Sequence, residues 1–81
     1  MVRWIKANRY YTASLQADLF GAWILLLNWG DRYQRSGQMK QLVYQSEQDA
    51  WLKLQDIAKR RQKDGYKLIQ RSWLVRPQLR S

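Results

Sequence analysis

Arg9-Tyr10-Tyr11-Thr12-Ala13-Ser14-Leu15-Gln16 is the stretch that decides the fold. Tyr11, Ala13 and Leu15 alternate with Tyr10, Thr12, Ser14 and Gln16. That period of two belongs to a strand with one buried face, because successive side chains leave opposite sides. Ala17-Asp18-Leu19-Phe20-Gly21 follows as a turn with an apolar pair inside it, and Asp18 reads as its anchor, accepting from backbone N–H groups. Trp23 to Trp29 is the second strand. It is apolar at nearly every position, so both faces are expected to be covered, at least in part. Trp23, Leu25, Leu27 and Trp29 point one way and Ile24, Leu26 and Asn28 the other. Further out, Gly30 to Gly37 is a polar loop, Gln38 to Gln45 a third strand, and Val2 to Ala7 a short strand ahead of the rest.

A helix follows the strands. Ser46-Glu47-Gln48-Asp49 resembles a capping box with Asp in place of Glu. Glu47 and Asp49 sit in the first turn, where the helix dipole favours negative charge. Ala50, Trp51, Leu54, Ile57 and Ala58 form one apolar stripe at 3–4 spacing, which places Trp51, like Trp23, in the core. Arg61 falls near the stripe's centre by angle, so its stem is expected on the core with the guanidinium carried outward. Gly65 suits the position just past the helix end. Tyr66-Lys67-Leu68-Ile69 then restarts an extended run. The reading is an α+β domain, a small antiparallel sheet with one helix laid on it, over residues 1–71. Residues 72–81 form a basic tail around Trp73-Leu74-Val75.

The chain has 81 residues, 15 Lys plus Arg against 6 Asp plus Glu, and neither His nor Cys. That length implies one domain with a small core. Without cysteine there is no disulfide framework and no thiolate nucleophile, and the setting expected is reducing and cytoplasmic. Without histidine the commonest general base and metal ligand are missing. The few carboxylates form no close pair on a glycine-framed cleft, so no catalytic residue, cofactor, metal or small-molecule substrate is expected. The longest apolar run, Ala22 to Leu27, stops at Asn28. That is far short of the roughly 20 residues a spanning helix needs, and the first nine residues lack a signal-peptide core, so no membrane role is expected.

The net charge of +9 lies just beyond the range of about 2–8 ordinary for small soluble domains. Five Trp, five Tyr and one Phe accompany it. Positive charge with aromatics points to a polyanion: DNA first, with RNA as the alternative. Trp29, at the end of an apolar strand beside a Gly turn, reads either as a platform for a ribose or base or as a rim residue of the core. Arg32 and Arg35 on the loop read as phosphate clamps or as solvated loop charges. Lys59, Arg60 and Lys63 could extend a phosphate track, or compensate the helix dipole. Tyr10 is the strand ring expected to be exposed and to join the nucleic-acid contacts.

Asn8-Arg9-Tyr10-Tyr11, Asp18-Leu19-Phe20-Gly21, Trp23, Trp29-Gly30, Arg60-Arg61 and Gly65-Tyr66 come in an order that resembles the WGR domain, especially its small stand-alone bacterial members. The resemblance runs from about Asn8 to Leu68. It implies a curved antiparallel sheet packed on one helix and no catalysis. It also implies DNA binding at strand breaks, with the motif Trp against a sugar and basic residues on phosphates. Asp31 stands where the motif's Arg belongs, and Arg32 follows it. The rival reading is a protein-interaction module, or an inhibitory accessory protein of a mobile element or multiprotein complex. Such a protein would dock through a sheet edge or the Trp73-Leu74-Val75 tail.

Overall fold

The elements run β1 (Val2–Lys6), β2 (Arg9–Ala17), β3 (Trp23–Asp31), β4 (Gly37–Tyr44), α1 (Glu47–Lys63) and β5 (Lys67–Arg71), in a computed structural model that describes residues 1–34 and 37–71. The strands form one antiparallel sheet in the order β4-β3-β2-β1-β5. The first four pair in sequence. The helix then carries the chain from one edge to the other, where β5 joins β1 across a register shift between Arg3 and Trp4.

Register builds the core face. Trp4 pairs with Tyr11 and Tyr11 with Trp29; Val2 pairs with Ala13 and Ala13 with Leu27; Leu15, Leu25 and Leu42 line up in a third row. Leu54 and Ile57 from α1 pack on Val2, Trp4, Ala13, Leu25 and Leu27, with Trp51 and Ala58 at the margin. This is the helix stripe expected from the sequence. Ser46 caps α1: its backbone is extended and its Oγ accepts from the Asp49 N–H at 3.1 Å. Ser46→Ala should therefore lower the free energy of unfolding by about 0.5–2 kcal/mol, read by urea denaturation.

The structure departs from expectation in four places. The loop after β3 is short, because β3 runs on to Asp31 and Gly30 pairs with Gly37. A Cβ on Gly37 would lie 2.6 Å from the Tyr10 hydroxyl and 3.1 Å from the Trp29 carbonyl oxygen, so a side chain there would force the Tyr10 ring to shift. The second face of β3 is not covered by another layer among the described residues. Ile24 and Leu26 are half-buried by their own strand neighbours. Trp23 and Trp51 are half-buried; Trp23 stands at the start of its strand, and the Trp51 indole N–H reaches out to Glu47 at 3.1 Å. The Leu19 and Phe20 side chains point away from the protein, although Asp18 holds the turn as expected. Its Oδ1 accepts from the N–H groups of Phe20 at 2.8 Å and Ala22 at 2.9 Å.

Candidate nucleic-acid interface

Hairpin topology gathers three connections at one end of the sheet: the β1–β2 turn, the β3–β4 loop, and the turn after α1. Lys6 Nζ donates to the Asp64 carbonyl. The Arg32 N–H donates to the Asn8 carbonyl at 2.6 Å and its Nη1 to the Ala7 carbonyl at 3.3 Å. Lys6, Arg9, Arg32, Arg60, Arg61, Lys63 and Lys67 all come from these connections or the strand and helix ends beside them. The other end, built from residues 15–23 and 44–50, has Asp18, Glu47 and Asp49 and no Lys or Arg. Among the described residues the positive charge is thus weighted toward one pole.

Trp29 stands on the core face at the basic pole, half-buried. Its ring stacks on Tyr11 with centroids 5.6 Å apart and planes 13° from parallel, and Trp4 meets Tyr11 edge-on at 6.0 Å. The Arg61 guanidinium lies 4.4 Å from the Tyr11 centroid and 5.4 Å from that of Tyr66. Arg61 does not carry its charge outward as expected. Two ring faces hold the guanidinium, leaving the side chain 18% exposed, and Nη2 makes a long 3.5 Å contact with Asp64. Burial pushes the Tyr11 phenol up, Arg61 draws it partly back, and Tyr66 adds a smaller upward push.

Two open depressions of about 320 Å³ each share Trp29 as a wall. One is lined by Arg9, Gly30, Asp31, Gly37 and Gln38. The other lies between α1 and the β3–β4 side of the sheet, where Trp29 meets Lys40, Lys53, Arg60 and Arg61. The carboxylate in that second depression belongs to Asp56, 4.0 Å from Lys53. A half-covered indole with four cations along the same wall can take a planar group on its face and phosphate oxygens on its rim.

Of the residues singled out from the sequence, the structure brings Trp29 and Arg60 together in this cleft. Arg32 is exposed at the same pole, tied to the β1–β2 turn, with its guanidinium 5.8 Å from the Tyr33 ring. Lys59 and Lys63 are exposed, and helical periodicity places them on the arc of α1 turned away from the sheet. Tyr10 is half-buried on the opposite face from Trp29, with the Arg3 guanidinium 5.3 Å from its centroid. Tyr10 and Trp29 therefore cannot share one nucleotide. Arg35 lies outside the described residues. Sequence reading left Arg9, Lys40 and Lys53 out of the candidate site, although Lys53 lies off the apolar stripe and so faces solvent or a ligand. Lys40 follows from the alternation with Leu42 and Tyr44, and Lys53 from its spacing of seven before Arg60.

Asp31 fixes this end. One carboxylate oxygen accepts from the Tyr33 N–H at 2.8 Å and the other from the Asn8 side-chain amide at 3.2 Å. Asp31, in the motif's Arg position, thus shapes the turn, and the guanidinium of the next residue, Arg32, is held at the Ala7 carbonyl.

No helix among the described residues is long and apolar enough to cross a membrane. Comparison with curated proteins and with solved structures gives no match. The family profile described as WGR domain matches residues 3–72, most of the chain, and WGR domains are in general nucleic-acid-binding modules. The ordered aromatic and glycine positions, the five-stranded sheet and its single helix agree with that match, and the chain belongs to the WGR domain family.

Proposed function

We propose that the chain is a non-enzymatic DNA-binding module that reads charge and shape and takes duplex ends or nicks. The observation that carries this is the position of Trp29. Its ring forms a wall of both basic-pole depressions, and Lys40, Lys53, Arg60 and Arg61 line one of them. An intact duplex keeps its bases stacked on both sides. An end or a nick exposes a sugar or base face that an indole can cover while neighbouring cations hold the flanking phosphates. Arg32, Lys59 and Lys63, exposed at or near the same pole, extend the positive field beyond the cleft.

The test is fluorescence anisotropy with blunt duplex, nicked duplex, single-stranded DNA and RNA. Nicked or blunt-ended duplex should bind best. Trp29→Ala should weaken that binding by about 1–3 kcal/mol, nearly independently of salt, because stacking releases no counterions. Circular dichroism must show the variant folded. A folded Trp29→Ala protein of unchanged affinity would return Trp29 to a purely structural role and overturn the reading.

A second reading, a protein-interaction module, is favoured by one separate observation: the exposed Leu19–Phe20 pair at the pole without Lys or Arg.

A further inference from the structure

Leu19 and Phe20 are 96% and 92% exposed, the most exposed large apolar side chains among the described residues. The turn that presents them is firmly built. Asp18 accepts from the Phe20 and Ala22 N–H groups, the Asp18 N–H donates to the Ala22 carbonyl at 2.9 Å, and Gly21 takes φ +88°. Such a turn loses little freedom when its side chains are buried by a partner.

The same chain carries a depression that suits them. Between α1 and β5, Trp4, Ala58, Tyr66 and Leu68, with Gln62 at the rim, enclose about 360 Å³. A phenyl-sized group needs a cavity of about 150 Å³, so a benzyl side chain fits with room for an isobutyl group beside it. Charge matches as well. The turn lies at the pole that, among the described residues, holds Asp18, Glu47 and Asp49 without Lys or Arg. Lys6 stands beside the depression, its Nζ 5.9 Å from the Tyr66 ring, and Lys59 follows Ala58 on the outer side of the helix rim. Two chains of net charge +9 repel each other in most orientations, and the approach of one copy's uncharged or acidic pole to another's basic flank is the least opposed.

We propose that the chain associates head to tail with copies of itself, Leu19 and Phe20 of one copy filling the depression between α1 and β5 of the next. The contact is heterologous, so every open assembly keeps one unfilled knob and one unfilled hole at its ends, and association continues beyond a pair unless the assembly closes. It is small, and the association is correspondingly weak and concentration-dependent. It does not depend on nucleic-acid binding.

Sedimentation velocity of the full chain tests it, run from about 10 µM to about 1 mM in about 0.3 M salt, which screens the net repulsion. The average mass should rise with concentration. Leu19→Ser and Phe20→Ser should each weaken association about tenfold or more. Leu68→Glu should block the depression; Gln62→Glu, on the exposed rim, serves the same purpose if circular dichroism shows Leu68→Glu unfolded. The decisive arm mixes a turn variant with a depression variant. Each alone should stay monomeric, and the mixture should form pairs and stop there, because only one intact turn meets one intact depression. A wild-type chain that stays monomeric throughout the range overturns the proposal. So does a mixture that fails to pair while the wild type associates, since that outcome belongs to a symmetric contact.

Discussion

Leu54→Ala should lower the free energy of unfolding by about 2–5 kcal/mol. Leu54 is 5% exposed and lies on the helix stripe with Ala50 and Ile57, facing the row of Val2, Ala13 and Leu27. Among the described residues only one face of the sheet is covered, so the helix–sheet stabilisation they supply comes from this single interface. Removing three carbons from its centre loses their transfer free energy and leaves a void that the stiff sheet cannot collapse to fill. Domains of this size carry about 5–15 kcal/mol in total, so the variant gives up a large share of the margin. Leu52→Ala is the control. Leu52 is 55% exposed on the other side of the same helix, and its truncation should change stability by no more than about 0.5 kcal/mol. Urea denaturation of both, against the parent, reads the contrast. Equal small effects would place the helix face elsewhere.

What could be read from the sequence was what local chemistry determines. The Ser46 cap, the 3–4 stripe and the positive-φ Gly65 each follow from a short stretch of chain and stand as expected; the alternation in Tyr10 to Gln16 puts Tyr11, Ala13 and Leu15 at the core as expected, although Thr12 on the other face is buried too. What escaped depends on distant partners. The goal of β5 is set by the length of α1 and the free edge of β1, and nothing in Tyr66-Lys67-Leu68-Ile69 chooses between the two sheet edges. Arg61 lay on the core stripe by angle. The two rings that hold it come from β2 and from the segment after the helix, so its inward turn becomes visible only when both are in place. Tyr10 and Trp29 fall on opposite faces because Tyr11 pairs with Trp29. That register rests on the five-residue span from Asp18 to Ala22, and a slip of one residue would have exchanged the faces. At the site, the sequence identified Trp29 and Arg60. It passed over Lys40 and Lys53, whose relevance comes from standing across a cleft rather than from any motif.

Salt should weaken duplex binding steeply. Arg60 in the Trp29 cleft, Arg32 at the loop and the nearby Arg9, Lys40 and Lys53 offer enough cations for about 4–6 phosphate contacts, which gives a log–log slope of roughly −4 to −5. Between 50 and 200 mM salt that slope amounts to a loss of about 250- to 1,000-fold in affinity. The effect should divide by residue. Arg32→Ala removes a phosphate contact, so the slope should become shallower by about 1 and all duplex sequences should weaken alike. Its structural cost is small, because Nη1 makes one long hydrogen bond to the Ala7 carbonyl while the turn is held separately by Asp31 and the Arg32 backbone N–H. Lys40→Ala and Lys53→Ala should each flatten the slope in the same way if the cleft itself holds the backbone. Lys59→Ala and Lys63→Ala should change it less, since their arc of the helix faces away from Trp29. Anisotropy titrations of the parent and these five variants against one nicked duplex, at four or more salt concentrations, separate the two surfaces. A parent slope near zero would exclude phosphate contact as the basis of binding. A slope carried by Lys59 and Lys63 alone would move the nucleic acid off the Trp29 cleft and onto the back of the helix.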